Sequence, residues 1–282
     1  MNNRMQDILS QIVANKRIEV AVQKQKLPLD TLIANGKEDL LRPTASLRKA
    51  LLDGSGIIAE FKRKSPSKGW LFPNAQIKEV VPLYEKNGAS ACSVLTDEVF
   101  FGGKLADLQQ ARALVRLPLL RKDFVVDEYQ LYEARIAGAD AVLLIASILT
   151  VDECKRFAEK ARELGLEVLL EIHDEKELSH LHANIDMVGV NNRNLGTFHT
   201  DVENSFQLVH SLRAHVRRDN VLLVSESGIS KPTDVKQLRE VGFSGFLIGE
   251  RFMKGGQPGE ELKQFIKEVS LVGDLGGGSD VD

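Results

Sequence analysis

From residue 56 onward the chain alternates short apolar runs with longer polar stretches rich in helix formers. The apolar runs are GIIAEF (56–61), SACSVL (90–95), PLLRKDF (118–124), DAVLLIA (140–146), LEVLLEI (166–172), DMVGVN (186–191), NVLLVSE (220–226) and GFLIGE (245–250). Near-continuous apolarity predicts strands buried on both faces, the condition of a parallel sheet covered by helices. The intervening stretches carry helix stops. Gly88, Gly138, Gly165 and Gly242 each fall just before a strand, where glycine can take the left-handed conformation that ends a helix. Thr150 with Glu153 forms a capping box that predicts a helix running through Ala161. Eight βα units at this spacing favour an α/β fold of the parallel (β/α)8 TIM barrel type over an open doubly wound sheet, though the pattern alone accommodates both.

Residues 1–53 precede the first strand. Ile8, Ile12 and Val13 recur at helical spacing, and helix-compatible sequence surrounds Leu40 to Leu52. This predicts an N-terminal helical extension packed on the barrel, so that residues 1–270 form one domain. A chain of 282 residues accommodates such a barrel, which commonly takes about 250. The glycine-rich, acidic end predicts a flexible tail over 271–282.

Composition narrows the function classes. The net charge of −3 and the lack of a basic block argue against nucleic acid as a partner. No run is long enough to cross a bilayer, and Arg4, Asp7, Lys16 and Arg17 interrupt any signal-like segment, so a cytoplasmic protein with no membrane partner is expected. Cys92 and Cys154 form no CxxC or Cys/His cluster and read as reduced structural thiols. No G-x-G-x-x-G follows a strand and no Walker A sequence occurs. His173 has no partner histidine at metal-ligand spacing and reads as a polar rim contact. Tyr129 and Tyr132 read as packing residues, and Trp70 and Phe72 as lid or core.

The chemistry lies at the strand ends, because a β/α barrel builds its active site from the C-terminal ends of its strands. Strand one ends in Glu60 and Lys62, and strand three in Arg121, Lys122 and Asp123. Strand five ends in Glu171, and strand six in Asn191, Asn192 and Arg193. Strand seven ends in Ser225, Glu226 and Ser227, and strand eight in Gly249 and Glu250. Burying such groups is costly unless they pair or do work, and together they predict a polar mouth on a dry barrel. Lys122 beside Glu60 and Glu171 should stay protonated, which suits a general acid better than a Schiff-base amine. The plainer alternative for each lysine is a rim salt bridge. Asp123 is a candidate for a structural role, since successive strand residues face opposite ways. The loops SESGIS (225–230) and IGER (248–251) follow strands seven and eight, where barrels frequently bind phosphate. Gly228 and Gly249 would let backbone N–H groups approach an anion, with Ser227 adding a hydroxyl, unless they only make tight turns.

Seven motifs in order resemble those of indole-3-glycerol-phosphate synthases: IIAEFKRKSPSKG (57–69), SVLTDEVFFGG (93–103), PLLRKDF (118–124), LLEIHDEKEL (169–178), VGVNNRNL (188–195), SESGI (225–229) and GFLIGERFM (245–253). The likeness runs through all eight βα units and includes the N-terminal extension. It implies ring closure with decarboxylation and dehydration of 1-(2-carboxyphenylamino)-1-deoxyribulose 5-phosphate to indole-3-glycerol phosphate on the tryptophan pathway. It also implies that the reaction uses no metal or organic cofactor, and a monomer is expected. Carried over motif by motif, Lys122 matches the principal general acid and Glu171 the general base. Lys62 matches a second active-site lysine, and Glu60, Asn191 and Ser227 match polar positions that orient substrate and lysines. Ser65, Phe124, Arg193, Glu226, Gly228, Gly249 and Glu250 match substrate- or phosphate-binding positions. Glu250 departs from the serine of several members, which leaves only its backbone N–H for phosphate, and Arg251 either compensates with charge or faces solvent.

The rival readings differ in chemistry. A barrel like phosphoribosylanthranilate isomerase would not require the LLRKDF lysine or the pair of glutamates. A class I aldolase would require a Schiff-base lysine at strand six, where Asn-Asn-Arg stands. A non-catalytic barrel that only binds a phosphorylated ligand would have no need to keep Glu60, Lys62, Lys122, Glu171 and Asn191 together.

Overall fold

A computed structural model of the chain describes residues 3–193, 200–216 and 221–274. Eight parallel strands close into a barrel: β1 (Ile57–Phe61), β2 (Ala91–Leu95), β3 (Leu119–Lys122), β4 (Ala141–Ile145), β5 (Glu167–Ile172), β6 (Met187–Asn191), β7 (Leu222–Glu226) and β8 (Gly245–Ile248). Each strand pairs with its sequence neighbours, and β8 pairs with β1 to close the ring. The barrel prevails over the open sheet, and every predicted apolar run contains one strand. Asn220, Asn194 and Leu195 of the quoted runs and motifs lie outside the described residues.

Strand alternation divides the core into two layers. Ile58, Leu120, Leu169, Met187, Val224 and Leu247 point inward and meet in the barrel interior. Ile57, Ala59, Leu119, Leu170, Val188 and Phe246 point outward against the helices. Because both faces are dry, the strands read as continuous apolar runs. Gly88, Gly138, Gly165 and Gly242 all have positive φ, as helix-ending residues should. The predicted capping box is present, with Thr150 accepting from the Glu153 N–H, and its helix runs Val151–Glu163.

The N-terminal extension forms helices Asn3–Lys26, Leu29–Asn35, Lys37–Leu41 and Leu47–Asp53. The last of these plugs the N-terminal end of the barrel, where Leu47 and Leu51 join the interior residues. The first reaches the opposite end, as described below. The closing helix runs Pro258–Asp274, so the expected tail begins inside a helix, and residues 275–282 lie outside the described residues. No helix among the described residues is long and apolar enough to cross a membrane. Both cysteines are free and buried, and burial pushes the Cys154 thiol up to about 12.

Candidate active site

Counting by two from the interior residues gives the site. Ile58 leads to Glu60 and Lys62, Leu120 to Lys122, Leu169 to Glu171, Met187 to Asn191, and Val224 to Glu226. All of these side chains share the inward phase, at the C-terminal ends of their strands. Arg121 and Asp123 fall out of phase: Arg121 is buried outside the cavity, while Asp123 borders it as a buried, ion-paired carboxylate. Arg121 pairs with Asp123 at 2.9 Å and Glu133 at 3.3 Å, which corrects the placement of Arg121 in the polar mouth and supports the structural role of Asp123. Asn192 is also structural. It donates to Ser225 Oγ at 2.9 Å and to the Ser227 carbonyl at 3.0 Å.

Lys122 is the hub. Its ammonium lies 3.0 Å from Glu171 Oε2 and 3.0 Å from Glu226 Oε2. Burial alone would lower the pKa of this amine, but the carboxylates of Glu171, Glu226 and Glu60 outweigh it, so the pKa is raised and the ammonium persists. Glu171 shows the reciprocal effect. Burial pushes its pKa up, while Lys122, His173 and a hydrogen bond from Asn191 pull it below the usual carboxylate range. Glu226 goes the other way, raised to about 7 by burial and by its neighbours Glu171 and Glu60, against the pull of Lys122. Its Oε1 is buried without a hydrogen-bond partner. A second pair stands beside this triad, with Lys62 Nζ 2.5 Å from Glu60 Oε1.

Two glycines make these placements possible. A Cβ on Gly189 would lie 1.9 Å from Glu226 Oε1, and one on Gly249 would lie 2.4 Å from Glu60 Oε1. Gly249 therefore has a steric duty inside the barrel in addition to any backbone contact with an anion. At the end of β7, Ser227 has φ 67° and Gly228 φ 77°, a left-handed pair that turns the chain sharply at the mouth.

The cavity over this floor measures about 910 Å³. Lys122, Glu171, Lys62, Glu60, Asn191, Ser227, Ser65, Phe124, Arg193, Gly228, Gly249 and Glu250 all line it, while Glu226 lies beneath the lining and acts on it through Lys122. Ser65 is nearly buried and accepts from the Lys68 N–H at 3.3 Å. Arg193 donates to Ser67 Oγ, tying the loop after β6 to the loop after β1. Arg251 lines the cavity beside Glu250 and is ion-paired to Glu261. Lys254 lines the cavity nearby. Among the described residues no group of three or more His, Cys, Asp or Glu side chains is arranged to hold a metal ion.

Sequence reasoning missed part of the wall. Ile8, Leu9 and Ile12 of the first helix line the cavity and, with Leu95, Phe101 and Phe124, give it an apolar component. Phe101 and Phe124 pack with centroids 5.9 Å apart. The helix is held there by Lys16, fully buried, whose ammonium reaches Asp97 and Asp123 at 3.0 Å each. The Ile8/Ile12 spacing signalled an apolar helix face, but nothing local said what the face covers.

A family profile described as indole-3-glycerol phosphate synthase matches residues 9–269. An indole-3-glycerol phosphate synthase of Bacteroides thetaiotaomicron is 57% identical over 266 residues, covering 94% of this chain and 100% of the relative. The chain belongs to the indole-3-glycerol phosphate synthase family. A second relative of that name, from Magnetococcus marinus, is 44% identical and covers 92% of this chain and 98% of its own length. Among solved structures, a mutant tryptophan synthase alpha-subunit from Pyrococcus furiosus superposes with a TM-score of 0.57 at 18% identity, over 77% of this chain and 98% of that one. That likeness shows the barrel fold. The activity is that of the family, a carboxy-lyase of aromatic amino-acid biosynthesis acting on a small phosphorylated substrate.

Proposed function

We propose that the cavity binds 1-(2-carboxyphenylamino)-1-deoxyribulose 5-phosphate, with its aromatic acid against the apolar wall and its phosphate toward Ser227, Gly228 and Gly249. Lys122 acts as general acid and Glu171 as general base. The observation that carries this reading is the Lys122 ammonium held 3.0 Å from Glu171 and 3.0 Å from Glu226 on the floor of the cavity. An acid must be charged and a base ionised at the same pH, and the mutual electrostatics of this cluster favour both.

The ring carbon bearing the carboxylate attacks the ribulose carbonyl carbon, and a lysine ammonium protonates the carbonyl oxygen. The bond to the carboxylate then breaks, carbon dioxide leaves, and conjugation is restored. The remaining hydroxyl departs as water on receiving a second proton, while Glu171 takes the proton released from ring nitrogen or carbon. Lys62, paired with Glu60, is the second cation available at the mouth. Anchoring at both ends brings the reacting carbons together, which contributes by proximity. All of these groups come from one chain, so a monomer suffices, acting in the cytoplasm without metal or organic cofactor.

Turnover of the purified chain with this substrate, followed by indole fluorescence, tests the reading. Glu171→Gln should slow it by about two to four orders of magnitude. An unchanged rate would remove Glu171 from the role of base.

A further inference from the structure

The carboxylate of Glu171 has two oxygens, and Lys122 occupies only one of them. The other, Oε1, lies 3.4 Å from His173 Nε2. His173 follows Glu171 by two residues, so both side chains turn to the inner face of the barrel end, and the imidazole lines the cavity. The far side of the ring is closed by Glu177, whose Oε2 is 3.5 Å from His173 Nδ1 and accepts from the His173 backbone N–H at 2.5 Å. Both ring nitrogens are buried, and neither is aligned for a hydrogen bond. The ring therefore stands between two carboxylates.

The charged groups that face it come from several elements. Glu171 belongs to β5, Glu226 to β7, and Glu177 to the short helix Glu175–His180. The neighbouring amides are neutral: Asn191 hydrogen-bonds Glu171, and Asn204 donates to the His173 carbonyl at 3.2 Å. Lys122 is the opposing cation, on the other oxygen of Glu171. Burial would lower the pKa of His173, but Glu177 and Glu171 outweigh it and raise it.

Building on the reading of Glu171 as base, we propose that His173 is its positioning residue. The imidazolium, steadied by Glu177, holds Oε1 of Glu171 and keeps that carboxylate ionised and aimed at the substrate. The role matters most when Lys122 has given its proton away. At that moment the amine is neutral, and His173 is the cation still touching the base. An arrangement that relied on Lys122 alone would let Glu171 take up a proton from solvent as soon as the acid had fired.

The test is the pH profile of kcat. In His173→Asn, turnover at alkaline pH should fall by less than about tenfold, while the acid limb moves up by about one pH unit, the shift expected when a carboxylate loses a neighbouring cation. His173→Lys, which keeps a cation at that place, should return the limb toward its original position. A residue that only packed the barrel would lower turnover at every pH and leave the limb where it was. An acid limb unmoved in a folded His173→Asn enzyme overturns the proposal. Nitrogen NMR of the ring gives an independent reading if that variant does not fold. The titration midpoint of His173 should lie above its ordinary value of about 6.5 in the unaltered enzyme and drop in Glu177→Gln. A midpoint insensitive to Glu177 also overturns the proposal. Glu171→Gln separates the two claims. If it is inactive while His173→Asn keeps the original limb, only the role of His173 fails. If it turns over normally, the base reading fails and this proposal with it.

Discussion

Two buried carboxylates stand at opposite ends of the barrel, and they are treated differently. Asp140, at the entry to β4, is fully buried, and both of its oxygens are matched. Oδ1 accepts from Arg42 at 3.3 Å and from the Ala45 N–H at 3.0 Å, while Oδ2 accepts from Arg112 at 2.8 Å and from the Leu119 N–H at 2.9 Å. Glu226, at the exit of β7, is just as buried, but its Oε1 has no partner and its neighbours include Glu171 and Glu60. At the closed end both oxygens of Asp140 are matched, and its bonds to Arg42 and Ala45 order the extension against the barrel. At the open end Glu171 and Glu226 share the ammonium of Lys122, and their proton affinities are driven apart. A buried acid surrounded by donors is structure, and one surrounded by other acids is chemistry.

The largest effect should come from Lys122→Ala, which is expected to lower kcat by about two to four orders of magnitude while the chain still folds. Glu171 and Glu226 then face each other without the ammonium that bridged them, so the thermal midpoint should fall at neutral pH and recover on acidification. Turnover should not recover with it, and near-normal turnover would dissolve the contrast between the two ends. The reverse outcome is expected for Asp140→Ala. That change should cost about 3 kcal/mol of stability in denaturant unfolding, toward the low end because Arg42 and Arg112 keep some access to water. Its kcat at a temperature where it remains folded should be that of the unaltered enzyme, and a large loss would mean that the closed end is not merely structural.

Gly249→Ala should come next. The added methyl would meet Glu60 Oε1 at 2.4 Å, so Glu60 must leave Lys62, with about 1–3 kcal/mol of destabilisation and a lower kcat/KM. The smallest effect is the most specific. Glu226 has a folded-state pKa raised above its unfolded value, so the stability linked to its proton is present below the unfolded pKa. It is lost as pH rises toward and through about 7. Glutamine has no such loss. The thermal midpoint of Glu226→Gln, relative to the unaltered enzyme, should therefore rise between pH 4.5 and pH 8. A difference that stays flat with pH would show that Glu226 is as well matched as Asp140.

Much of the site was legible because the sequence carries the strand period. Glu60, Lys122, Glu171 and Asn191 all lie an even number of residues from an inward apolar neighbour, and each falls at or near the C-terminal end of its run. The same period set Asp123 apart from Lys122. What could not be read were relations across the ring. Glu226 was one rim residue among several until its Oε2 proved to share Lys122 with Glu171. Gly249 looked like an anion-contact glycine, and its clash with Glu60 appears only when β8 closes against β1. The ion pair of Arg251 could not be read either, because its partner Glu261 lies on the closing helix. The cavity wall formed by Ile8, Leu9 and Ile12 was hidden for the same reason.

By itself the sequence determined the eight strands, the glycine-ended helices and which residues of each strand turn inward, since apolar period and turn chemistry are properties of a few consecutive residues. Which buried acids are satisfied and which are crowded was decided by closure of the barrel, which brings Lys122 to Glu226 across 104 positions of chain. Proton affinity depends on solvent exclusion and on charges a few ångströms away, and neither exists until distant segments have been packed around the same point.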